Sequence, residues 1–137
     1  GFGVNAIAGG SNTLRVICSN NDIVNSQGAI GLAAEEMSNY SASITDNTFT
    51  NSAGPGAALE AVCGDDASLC LDIERNTNDD EFRFSGLTGG SAVFQIEQRD
   101  LLTTPEPTGA GNTGSVNIIT GAGFFTPEDV TDGACGF

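Results

Sequence analysis

The chain has 137 residues, a length that bounds it to one domain, and 18 acidic residues stand against four arginines with no lysine or histidine, for a formal charge of −14. Phosphate recognition needs clustered cations, so this balance argues against nucleic acid and anionic membrane as partners. The missing histidine excludes Ser-His and Cys-His nucleophile pairs, and no apolar run approaches the roughly 18 residues of a membrane-spanning helix.

In chain order, residues 1–13 are glycine-rich with apolar Phe2, Val4 and Ile7, and read as an N-terminal arm or an added strand. They lack the basic n-region and long apolar core of a signal peptide, so the start reads as a processed terminus or as a cut from something longer. Residues 14–125 carry a repeated phrase. Its clearest copy is SASITDNTFTN (41–51): Ala42 and Ile44 alternate with polar neighbours as in a strand buried on one face, Asp46-Asn47 breaks the strand, and Phe49 returns to the core. Upstream, RVICSNNDIVN (15–25) places Val16 on Ala42, Cys18 on Ile44, Asn21 on Asn47 and Asn25 on Asn51. Downstream, CLDIERNTNDD (70–80) supplies Leu71, Ile73 and Asn76, and FRFSGL (82–87) adds Phe82, Phe84 and Leu87 as packing residues. VFQIEQRD (93–100) then supplies Phe94, Ile96 and a corner at Arg99, and SVNIITG (115–121) supplies Val116, Ile118 and a corner at Gly121. The stretch 103–114, with two prolines, reads as a flexible protrusion. Residues 126–137, with Val130 and Phe137, read as a C-terminal cap or arm.

Corners at 21, 47, 76, 99 and 121 recur every 22 to 29 residues with strand pattern and no helical unit, which means a solenoid. The expected fold is all-β, a parallel β-solenoid of about five rungs with extended terminal arms. Ala42, Leu71 and Phe94 would stack in one apolar column, and Asn21, Asn47 and Asn76 would form a hydrogen-bonded ladder.

Cys63 and Cys70 bracket a short turn, and a bridge between them is within reach. Cys18 and Cys135 would lie about four strand spacings apart, on the order of 19 Å. They pair only if the tail folds back, and a bridge between neighbouring subunits is the alternative. An even cysteine count without metal-type spacing favours an oxidising, extracellular or cell-surface setting. Asp65 and Asp66, and separately Asp79, Asp80 and Glu81, offer hard oxygen ligands for calcium, against the plainer reading of solvated acidic corners. No other cofactor is expected.

The phrases SITDNTFTNSAGPGAAL (43–59) and LCLDIERNTNDDEFRF (69–84) resemble the repeats of right-handed parallel β-helix proteins, the pectate-lyase-like superfamily. They are similar to the I-x-x-N-x-F-x-N repeats of secreted bacterial surface proteins that have no enzymatic signature. The resemblance implies a right-handed coil. It also raises polysaccharide lyase or hydrolase activity, and the histidine-bearing motif of the polygalacturonase-like hydrolases is absent here. The corners at Arg99 and Gly121 depart from the pattern.

No catalytic residue is assigned, and the chain is expected not to be an enzyme. The expected function is structural: an extracellular protein whose partner is itself, assembling head to tail into a filament or surface layer through open solenoid ends and arms anchored by Phe2, Val4, Ile7, Val130 and Phe137. The alternative is an adhesion module of a larger surface protein that binds a glycan or calcium.

Overall fold

The computed structural model describes residues 2–24, 28–50 and 57–137, with the backbone alone at positions 2 and 3. The chain coils through three parallel sheets. The first turn is β1 (Phe2–Ala8), β2 (Thr13–Ser19) and β3 (Asp22–Val24). The second is β4 (Gly28–Ala34), β5 (Asn39–Thr45) and β6 (Thr48–Thr50), and the third is β7 (Leu59–Cys63), β8 (Ser68–Glu74) and β9 (Thr77–Asn78). Then come β10 (Glu81–Leu87) and β11 (Val93–Glu97), a short 3₁₀ turn (Arg99–Leu101), β12 (Ser115–Ile118), β13 (Phe124–Phe125) and β14 (Glu128–Val130). One side of the coil stacks β1-β4-β7-β10-β12, the second β14-β11-β8-β5-β2, and the third β3-β6-β9.

The fold is therefore a parallel β-solenoid of about three turns. Five rungs were expected, but three turns carry all three strands among the described residues, and the later ones lack a third side. Each turn reverses at two kinds of corner. Before the ladder asparagines the backbone enters the left-handed region at Asn20, Asp46, Arg75 and Gly111. At the opposite corner Gly10, Glu36 and Asp65 do the same. Single left-handed residues are how a strand turns sharply without a long loop.

Period-2 alternation aims one side chain in two inward. In register, Val16, Ala42, Leu71 and Ile96 form one inward column, and Leu14, Tyr40, Leu69 and Phe94 another. Phe94 thus sits one pleat from its expected column, because β11 leaves its strand at Gln98, where the left-handed corner comes early. Val4, Ile30, Leu59, Phe82 and Val116 line the facing side. Phe82, Phe84 and Phe94 are fully enclosed, each contributing roughly 1.5–3 kcal/mol by burial, and the Phe84 and Phe94 rings meet edge to face at 6.3 Å.

Other expectations change. Val116 and Ile118 belong to the β10 side, not to the β11 side, because the chain skips the third sheet after β11. Leu87 is exposed at the strand end, where Phe124–Phe125 folds back antiparallel. Residues 103–114 are a compact wedge with Ala110 and Asn112 buried, not a protrusion. The N-terminal segment forms β1 in the sheet, as the added-strand reading had it, and the C-terminal one forms β14 and a tail held by Cys135. Asn25 and Asn51 lie outside the described residues, as does the Phe2 side chain.

Candidate functional site

The first turn is an open end. Its inward residues Val4, Ala6, Leu14, Val16 and Ile23 are only half-buried, while Ala8 and Cys18 at the strand ends are buried. Their counterparts one turn on, Ile30, Leu32, Tyr40, Ala42 and Phe49, are at most 2% exposed. Strands β1 and β2 are seven residues long, and their outer edges have no strand partner among the described residues. Unpaired backbone groups beside uncovered apolar side chains make a template for strand addition. Ile7 points outward and is 59% exposed.

The asparagine ladder runs along one corner. Asn21 donates from N and Nδ2 to Asn47 Oδ1 at 3.0 and 2.9 Å. Asn47 repeats both bonds to Asn76 Oδ1 at 3.0 and 2.9 Å. Asn76 repeats them to Asn112 Oδ1, both at 2.9 Å. Each internal Nδ2 also reaches a carbonyl in the preceding turn: Asn47 to Cys18, Asn76 to Ile44 and Asn112 to Ile73. The three expected members are in place. The fourth is Asn112, where Arg99 and Gly121 had been expected to hold the later corners. The missed signal was the dipeptide Asn-Thr at 47–48, 76–77 and 112–113.

The last turn is blunted. β12 and β14 have four and three residues. Leu102 and Ala110 close the core beneath them, and the Leu102 carbonyl accepts both Asn112 N (3.1 Å) and Asn112 Nδ2 (2.9 Å). Gly86 lets Phe125 lie against β10, since a Cβ there would approach the ring to 2.8 Å.

From Val130 the tail returns along the outer face of the β2–β5–β8–β11 side. The disulfide joins Cys70 to Cys135, and Cys18 and Cys63 are buried free thiols. This corrects both expected pairings. Cys63 and Cys18 face the core, and Cys70 faces outward under the tail, so the face decides and not sequence proximity. Burial pushes the Cys63 thiol up to about 11 and raises Cys18 as well. Farther along, Gly136 O accepts from Arg15 Nη2 at 3.0 Å, and the Arg15 guanidinium lies 4.1 Å over the Phe137 ring. Phe137, expected as an assembly anchor, thus caps Arg15 in the first turn. Val130 pairs with Glu97 in the last turn. The tail covers Glu97, whose carboxylate accepts from the backbone N of Gly133 and Cys135. Beside it Asp72 is buried and accepts from Ser43 at 2.7 Å. Burial first, then the charges of Glu97 and Asp132, raise the Asp72 carboxyl, opposed by Ser43 and Arg75.

The acidic residues considered for calcium are dispersed. Asp65 accepts from Glu36 N and Asp66 from Ser91 N, each linking one turn's corner to the next. Glu81 engages Arg83 and Asn117. Asp80 N bonds Asn78 Oδ1, and Asp79 N reaches Phe49 O. Among the described residues no three acidic or thiol groups converge on a point that would hold a metal ion. Arg75 bridges Asp46, Glu74 and Glu106, fastening the ladder corner to the wedge, and its bond holds the Asp46 carboxyl below its usual range. Shallow depressions of about 290 and 300 Å³ flank the wedge, lined by groups such as Gln98, Asp132, Arg75 and Glu106.

Among the described residues no helix is long and apolar enough to cross a membrane. No protein-family model, curated protein or solved structure matches this chain, so the likeness to pectate-lyase-like repeats rests on the repeat phrase and the parallel coil alone.

Proposed function

We propose that the chain is an extracellular structural protein, a β-solenoid segment that works by stacking end to end through its open first turn. The observation that carries this reading is the step in burial between first and second turns within the same columns. A surface of that kind serves as an interface more readily than as a solvated face. The disulfide supports an oxidising compartment. A right-handed coil, the hand that parallel crossovers favour, belongs to the same reading. The head-to-tail filament expected from the sequence shares this first contact, but its second contact would have to come from the blunted end.

The test is binding of a dye specific for exposed apolar surface, combined with amide exchange across β1 and β2. The wild-type chain is expected to bind dye and to exchange fastest in these strands. Val16→Lys should weaken dye binding while leaving the far-ultraviolet circular dichroism unchanged. A first turn that binds no dye and is as protected as the second sinks the stacking reading. Turnover of any member of an acidic-polysaccharide panel would replace it with catalysis.

A further inference from the structure

We infer that the open first turn receives a parallel solenoid turn whose corner carries an unengaged asparagine, and not either end of a second copy of this chain. The inference deepens the stacking reading and rests on it.

The ladder has a direction. Asn21, Asn47 and Asn76 each hand their N–H and Nδ2–H to the Oδ1 of the next asparagine toward the C-terminal end. Read the other way, every Oδ1 receives two donors from the turn before it. Asn21 stands in the first turn, and no described residue donates to its Oδ1; its own Nδ2 is taken by Asn47 Oδ1, Ser19 O and Cys18 Sγ. The vacant position is therefore an acceptor, and it asks for a pair of donors.

Neither end of a second copy brings them. At the blunted end the Asn112 donors are both spent on the Leu102 carbonyl. Two first turns placed face to face with their ladder corners aligned would set Asn21 Oδ1 against Asn21 Oδ1, acceptor against acceptor. A turn that does fit has an asparagine at its corner and apolar residues above Val4, Ala6, Leu14 and Val16. The second turn meets that description, with Asn47 at the corner and Ile30, Leu32, Tyr40 and Ala42 in those columns.

The register makes the test direct. Val4 pairs with Ile30 and Ile30 with Leu59, so residue 57 occupies the place of Phe2. A duplicate of residues 28–56 fused directly before Phe2 therefore continues the coil in step. The extended protein is expected to unfold at a higher urea midpoint than the parent and to slow exchange across Thr13–Ser19 at least tenfold. The same extension with Ala in place of the added copy of Asn47 is expected to keep less than half of that midpoint gain. Equal gains in both extensions overturn the asparagine requirement while leaving stacking intact. No gain and no added protection in either extension overturn stacking itself. Sedimentation of the unmodified chain supplies the second check: dimers or filaments that Val16→Lys dissolves would overturn the exclusion of a second copy.

Discussion

The two ends of this solenoid are made from the same columns and finished differently. At the first turn, β1 and β2 keep their full seven residues and leave Leu14 and Val16 half-covered. At the last, the strands shrink to four and three residues, Phe124–Phe125 folds back on β10, and Leu102 ends the ladder with its carbonyl. Short strands and covering loops are the ordinary means of keeping a sheet edge from recruiting others. Their presence at one end alone among the described residues gives the coil a polarity: one face is covered, the other open.

The tail ties these ends together, and breaking it is expected to have the largest effect. The Cys70–Cys135 bridge spans 65 residues, and closing a loop of that length removes about 4 kcal/mol of unfolded-chain entropy in the chain-entropy model. A Cys70→Ser/Cys135→Ser protein, followed by urea denaturation with and without reductant, should lose stability of that order and become indifferent to reductant. An unchanged midpoint would mean that the strap does not bind the two ends.

Leu14 and Leu69 allow the ends and the middle to be compared with one residue type in one column. Leu69 is 1% exposed and Leu14 only half-buried. Leu69→Ala is expected to cost about 3 kcal/mol, in the range for enclosed leucines, and Leu14→Ala about 1 kcal/mol. Equal losses by chemical denaturation would show that the first turn is covered in solution. The ladder offers the same comparison in polar form. Asn47→Ala strands Asn21 N and removes the Nδ2 donor from the Cys18 carbonyl and from Asn76 Oδ1, which keeps only the backbone N of residue 47, for about 2–3 kcal/mol, and Asn112→Ala should match it because that end is closed. Asn21→Ala removes an exposed terminus of the ladder and should cost under about 1 kcal/mol. An Asn21 effect as large as that of Asn47 would contradict the open end.

Much of this was legible in the residues. The alternation of Ala42 and Ile44 and the corner at Asn47 gave the parallel coil and three of the four ladder members. Asn112 was missed because the later corners were placed by spacing, and the wedge inserted after β11 stretches the interval from 29 to 36 residues. Gly111, at a φ of 70°, takes the left-handed position that Asp46 and Arg75 hold elsewhere, which made Gly-Asn-Thr look like loop. Strand alternation also carries no label for which sheet a strand joins, so SVNI was assigned to the wrong side. The cysteines misled for a related reason. Neighbours in sequence faced opposite sides of the wall, and only the path of the tail brings Cys135 to Cys70.

The smallest effect concerns what the strap buries between the two ends. Asp72 on β8 faces Ser43 from β5, Glu97 from β11, Asp132 from the tail, and Arg75 and Glu74 on its own segment. Its carboxyl is raised above the ordinary value of 3.8, chiefly by burial, so the folded chain holds that proton more tightly than the unfolded one. The folded state then gains stability from Asp72 as pH falls from the raised value toward 3.8, and loses it again as pH rises through the window. At neutral pH the group is a cost, borne because the strap lies over it. Asp72→Asn keeps an oxygen for the Ser43 hydroxyl and removes the charge. It is expected to raise Tm by a few degrees at pH 7 and to flatten the rise in stability between pH 7 and mildly acid conditions, measured by calorimetry. In the Cys70→Ser/Cys135→Ser background the strap no longer holds water away from Asp72, and the same substitution should change Tm little. A gain that survives loss of the bridge would place the burial of Asp72 in the sheet wall itself and not under the strap.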